Sequence, residues 1–317
     1  MMEMVGTAAA ADTGQDVAYD DAPIALIFAD SDDRRMRAGE DVWSLGGRVA
    51  VSMPVIGAPE RLADQVAASA VIVDIAADAG APLEQLLDRI EEAAHARRFA
   101  SVVTVPPALI DLAAARAGHP DIVLMCDPTP AERMAVIGSV LSRERLRLND
   151  PSREAVLPRL QQLSEEVGRI AHALATLSGG ETGARARGVR READGTRGGG
   201  EPAIDASQVR AVIRARRLRD QYFSADLFAD PAWDMLLDLT AARLERRQVA
   251  VSSLCIAAAV PPTTALRWIK TLTDQGIFVR IADPSDGRRV FIELSEEAAG
   301  EMIAYLAAAE RMAATPI

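Results

Sequence analysis

Lysine is almost missing from this chain: of 35 basic residues all but Lys270 are arginine. Chemistry that needs an amine as base, Schiff-base former or phosphate clamp therefore has one position open to it, in the C-terminal third. Cysteine is nearly as scarce. Cys126 and Cys255 each lie inside an apolar run, which excludes a disulfide framework and predicts two buried thiols. The three histidines, His95, His119 and His172, have no metal-ligand spacing. There is no Walker or dinucleotide glycine fingerprint and no G-x-S-x-G elbow. No apolar run approaches the roughly 18 residues of a membrane span, and the N-terminus lacks a basic region followed by an apolar core. These absences argue against an enzyme, a cofactor, a metal, export and a membrane partner, and predict a cytoplasmic protein.

What is present is enough apolar material, 49% of residues, for about two cores in 317 residues. The net charge of −11 is unevenly divided. Residues 1–150 hold 13 arginines against 24 acids, while the remainder holds 22 basic and 22 acidic residues. Affinity for phosphate depends on local basic patches, so a neutral C-terminal half with clustered arginine is compatible with nucleic acid.

The pattern predicts five pieces. Residues 1–21 are small, polar and acidic without periodicity, the composition of a disordered tail. Over 22–148, short β-branched runs (PIALIFA, GRVAVSMPV, SAVIVDIA, ASVVTVP, DIVLMCD) alternate with helical patterns, predicting a flavodoxin-like (βα)5 sandwich with buried parallel strands. In 151–178, Val156, Leu160, Leu163, Val167, Ile170, Leu174 and Leu177 follow a 4,3 spacing that fits a short coiled-coil stalk or an amphipathic helix lying on its own domain. Residues 179–203, rich in Gly and Arg, read as a flexible linker. The last piece, 204–317, is α+β. It opens with helices, one of them started by Asp230 and Pro231, and continues as strand, helix, turn, helix and hairpin from Val249 to Leu294.

That last segment carries the functional expectation. Ser252 is the predicted cap of the first short helix, and Val260, Pro261 and Pro262 make a stiff turn into a recognition helix over 262–275. At 100° per residue, Ala265, Trp268, Ile269 and Leu272 face the core. Thr263, Arg267, Lys270 and Asp274 lie opposite, flanked by Thr264, Leu266 and Thr271. An ordinary solvated face has the same pattern, but Thr263, Thr264 and Arg267 sit at the N-terminal end, from which such helices reach base edges in the major groove. Arg267 suits a bidentate contact to guanine and Lys270 a phosphate. Gly276 ends the helix, and Arg288 and Arg289 emerge from the wing 282–289, suited to the minor groove or to phosphates, with Asp283 and Asp286 partly neutralising them.

With Leu272, Gly276, Arg280, Asp286 and Arg288 in that order, the last third resembles the winged helix-turn-helix of MarR-type transcription regulators. The resemblance implies that Asp286 braces the wing, that Arg288 enters the minor groove, and that the helices flanking the module make a homodimer. The doubled proline departs from the pattern. It removes amide donors and shifts the expected readout to the middle of the helix and the wing.

The first half resembles a response-regulator receiver, with Asp74 as the vestigial phosphoacceptor and Asp30 as one metal-binding acid. The partner acid is replaced by Ala29, the hydroxyl by Pro106 (Thr104 in a shifted register), and the lysine by Met125 or Cys126. No register supplies a lysine, so the resemblance implies a degenerate receiver that dimerises or binds a regulatory protein. The reading is a dimeric, sequence-specific regulator of transcription that binds double-stranded DNA. A protein-interaction adaptor and a phosphorylation-responsive regulator are the alternatives.

Overall fold

The computed structural model describes residues 22–65, 68–148 and 204–313. The predicted tail, stalk and linker lie outside the described residues. The first half is a parallel sheet in the order β2-β1-β3-β4-β5: β1 (Ile24–Ala29), β2 (Arg48–Pro54), β3 (Ala70–Asp74), β4 (Ala100–Val105) and β5 (Ile122–Cys126). This is the strand order of a doubly wound open sheet, with its switch point between β1 and β3. α1 (Asp32–Ser44) and α5 (Pro130–Leu148) cover one face; α2 (Ala58–Ala63), α3 (Ala81–His95) and α4 (Ile110–Arg116) cover the other.

Strand alternation divides the core. Ala25, Ile27, Ile72 and Val102 meet Val42, Ile137 and Leu141 on the α1/α5 side, while Leu26, Phe28, Val73 and Val103 meet Leu62, Leu86 and Ile90 on the other. β2 corrects one expectation. It is an edge strand whose residues alternate between exposed and half-buried, because only β1 pairs with it. The helix expected after it spans only six residues, Ala58–Ala63.

The second half begins with α6 (Ala206–Leu218), started by a capping box in which Asp205 accepts from Gln208 N and the Gln208 side chain accepts from Asp205 N. α7 (Pro231–Leu244) starts as expected, with Asp230 accepting from Trp233 N and proline at the first position. β6 (Val249–Ala250), β8 (Val290–Leu294) and β7 (Phe278–Ala282) form a three-stranded antiparallel sheet around α8 (Val251–Ala257) and α9 (Pro262–Asp274). α10 (Glu296–Ala313) closes the fold, with Ser295 Oγ accepting from Ala298 N. Helix, turn, helix and wing are thus all present.

Ser252 is not the cap of α8. The helix starts at Val251, one residue earlier, and Ser252 turns its hydroxyl to Asp111 on α4. The turn between α8 and α9 places Ala259 at φ 51°, a left-handed conformation that costs a residue with a Cβ energy. The two prolines therefore do not shape this turn alone.

Candidate nucleic-acid interface

α9 begins with Pro262 at its first position and ends at Asp274 with Gln275 as its cap, after which Gly276 at φ 73° reverses the chain into β7. Ala265, Ile269 and Leu272 are buried as the periodicity implies. Trp268 and Leu266 depart from expectation. Trp268 is half-buried, whereas Leu266, expected on the flank, is 7% exposed. Leu266 is covered because its side of α9 lies against β5 of the first half, while Arg267 on the neighbouring side stays exposed.

Named contacts fix this arrangement. The Thr263 hydroxyl accepts from the Cys126 amide at 3.0 Å and donates to the Cys126 carbonyl at 2.8 Å, extending the edge of β5. Asp111 accepts from the Ser252 amide at 2.9 Å and from its hydroxyl at 2.6 Å. Arg280 on β7 donates to the Ala114 carbonyl. On the wing, Asp286 accepts from Arg288 N at 2.9 Å and lies 3.6 Å from the Arg289 guanidinium. The Arg288 side chain reaches back to Asp78, in the loop after β3, and to Glu84 at 3.5 Å. The hydrogen bond from Arg288, then the Gly80 amide, hold the Asp78 carboxyl below the ordinary carboxylate range.

Of the residues expected to touch DNA, Thr263 and Arg288 are thus committed to protein partners. Lys270 pairs with Asp274 at 3.4 Å on its own helix. Arg267 is exposed and stands near Glu132, whose carboxyl is held low chiefly by the Thr129 amide and hydroxyl. Thr264 is half-buried in the cavity between the two halves, and Thr271 donates to the Arg267 carbonyl at 2.9 Å. Arg289 remains exposed. A duplex cannot reach Thr263 or pair with Arg288 while Cys126 and Asp78 hold those side chains.

No family model matches the sequence, and neither does any curated protein. Solved structures match about a third of this chain. They include transcriptional regulator Tm0710 from Thermotoga maritima, 20% identical over 33% of this chain and 70% of that one. A cysteine-to-serine mutant of MarR from E. coli is 19% identical over 33% and 77%. Bordetella bronchiseptica BpsR, whose DNA binding is described as regulated by 6-hydroxynicotinic acid, is 20% identical over 35% and 82%. With TM-scores of 0.22 for all three, the functional reading rests on the residues of this chain.

At the carboxyl ends of β1 and β3, where such sheets gather their chemistry, the two acids are already satisfied. Asp74 is 4% exposed and is paired with the Arg34 guanidinium. Asp30 accepts from the amides of Ala76 at 2.6 Å and Ala77 at 2.9 Å, and Arg34 Nε lies 3.8 Å away. An arginine from the first turn of α1 thus supplies positive charge to both acids. Sequence reasoning missed Arg34. Incubation with acetyl phosphate and Mg²⁺ should leave the intact mass unchanged; a one-phosphate gain lost in Asp74→Asn would contradict this.

Both cysteines are free and buried, as expected. Burial, assisted by Asp127, pushes Cys126 up to about 11; burial, then Cys126 and Asp111, pushes Cys255 up to about 12. A thiol whose folded value exceeds its unfolded value of 9.0 stabilises the fold fully below that pH, and the contribution is lost as pH rises toward the folded value. Iodoacetamide at pH 8 should therefore label neither thiol until the chain is unfolded. Rapid labelling in the folded state would show them to be accessible.

Proposed function

We propose that this chain is a non-enzymatic, dimeric, cytoplasmic regulator of transcription that reads double-stranded DNA through α9 and the wing, and that the described arrangement is its closed state. The observation that carries the reading is the junction of α8, α9 and an arginine-tipped hairpin, with Arg267 and Lys270 on the face of α9 turned away from its own core. Mid-helix Arg267 would take a guanine edge, Lys270 and Thr271 phosphates, and Arg288 and Arg289 the minor groove or adjacent phosphates. Exposed apolar side chains near the ends of the module, including Val212, Leu218, Tyr305 and Met312, support pairing of two copies. The first half, receiver-like in strand order but with Asp74 neutralised, would act by covering the reading head.

The DNA contacts are tested by titrating variants on a selected duplex. Arg267→Ala should cost about 1–3 kcal/mol at one base pair and relax preference there. Lys270→Ala or Arg289→Ala should weaken all sequences alike and reduce the salt slope by about one. Equal, sequence-independent losses in all three variants would remove the specific-contact assignment of Arg267.

The engagement of Thr263 and Arg288 by protein groups favours a second reading, an adaptor whose winged helix binds only protein. An adaptor would bind no random duplex at low salt even when opened.

A further inference from the structure

The closed arrangement leaves a cavity of about 360 Å³ between the two halves, at the small end of the range of about 300–1,000 Å³ typical of ligand pockets. One wall is the outer edge of β5 with α4 and α5 (Ala117, Ile122, Leu124, Val136); the other is α9 (Leu266, Ile269). Among the described residues no aromatic side chain lines it.

Its charged groups do not cancel. Glu132 is engaged by the amide and hydroxyl of Thr129, and Asp274 pairs with Lys270. Arg280 differs from both. Its guanidinium enters from β7, donates to the Ala114 carbonyl, and rests on Gly118, where an added Cβ would lie 3.2 Å from Cζ. Among the described residues no carboxylate lies within ion-pairing distance of it. Burial pushes its pKa down from the ordinary value, against the weaker field of Glu91. A guanidinium withdrawn from water with only a backbone oxygen for a partner is a ready receptor for a carboxylate, which it can bind through two parallel N–H bonds.

Resting on the closed-state reading above, we propose that this cavity binds an aliphatic monocarboxylate of about the size of octanoate, its carboxylate on Arg280 and its chain between β5 and α9. Because both walls are needed, the ligand binds the closed state and opposes DNA. Binding to one state at 100 times its dissociation constant shifts a two-state equilibrium by about a hundredfold. By reciprocity, DNA in turn weakens the ligand.

The test uses the full chain and two matched probes, octanoate and octanamide, in calorimetric titration without DNA. Octanoate should bind saturably and octanamide at least about tenfold more weakly, the equivalent of about 1.4 kcal/mol. Arg280→Gln should abolish that preference in a variant that remains folded. Should that variant unfold, Ala135→Trp, which fills the cavity mouth from the exposed side of α5, should block octanoate while Arg280 is intact. No saturable binding of octanoate overturns the proposal, as do equal binding of the two probes and octanoate binding that survives Ala135→Trp. Adding a selected duplex then separates the two readings. Octanoate binding with no DNA binding under any condition would sink the regulator alone, whereas DNA binding with no octanoate binding would sink the ligand site alone.

Discussion

Replacing Asp78 and Asp111 together with alanine is expected to tighten binding to duplex DNA by about tenfold to a hundredfold. Both substitutions lie in the first half and leave every proposed DNA contact intact. Asp111 accepts two hydrogen bonds from Ser252, at 2.9 and 2.6 Å, in a half-buried setting. Hydrogen bonds to a charged group contribute about 1.5–3 kcal/mol, enough for most of the expected shift. The Asp78–Arg288 pair is less protected, with 40% of each side chain exposed, and is discounted to at most about 1 kcal/mol. Its loss has a second effect: it frees Arg288 for phosphate. Fluorescence anisotropy at fixed salt measures the change. Unchanged affinity in the double variant, with its fold intact, would show that the two halves do not compete with DNA.

The other large effect is on stability. Arg34→Ala should cost about 3 kcal/mol, because it strands the carboxylate of Asp74, which is 4% exposed, without a counter-charge. Asp74→Asn on that background should recover much of the loss, since the neutral amide needs no cation. Asp74→Asn alone should cost less than Arg34→Ala, because the Arg34 side chain keeps 27% exposure and can turn to water or to Asp30. Urea unfolding of the four chains gives the coupling directly. A neutral Arg34→Ala, or an unrecovered double variant, would show that the pair does not hold the strand ends.

The sequence made the local architecture readable because local rules decide it. β-branched runs at regular spacing are the strands of the parallel sheet, Asp230 and Pro231 start α7, and Gly276 ends α9. β2 was misjudged because an edge strand and a central one share composition, and only pairing tells them apart. The recognition stripe was legible as a face, but what covers it was not. Leu266 looked like a flanking residue and Asp111 carried no signal, because contacts between residues 141 positions apart leave no periodicity. Arg34 was hidden for a related reason: the acids that end the strands stand out in the sequence, but the group that satisfies them comes from the following helix. One signal was available. The acidity of the first half and the arginines of the wing are complementary.

The most direct measurement is a selection of bound genomic fragments, run in parallel with the full chain and with its Asp78→Ala, Asp111→Ala variant. One inverted-repeat sequence should emerge from both, with stronger enrichment for the opened variant, and Arg267→Ala should blur one position in each half-site. Failure of both proteins to enrich any sequence would contradict a DNA-reading function for α9 and the wing.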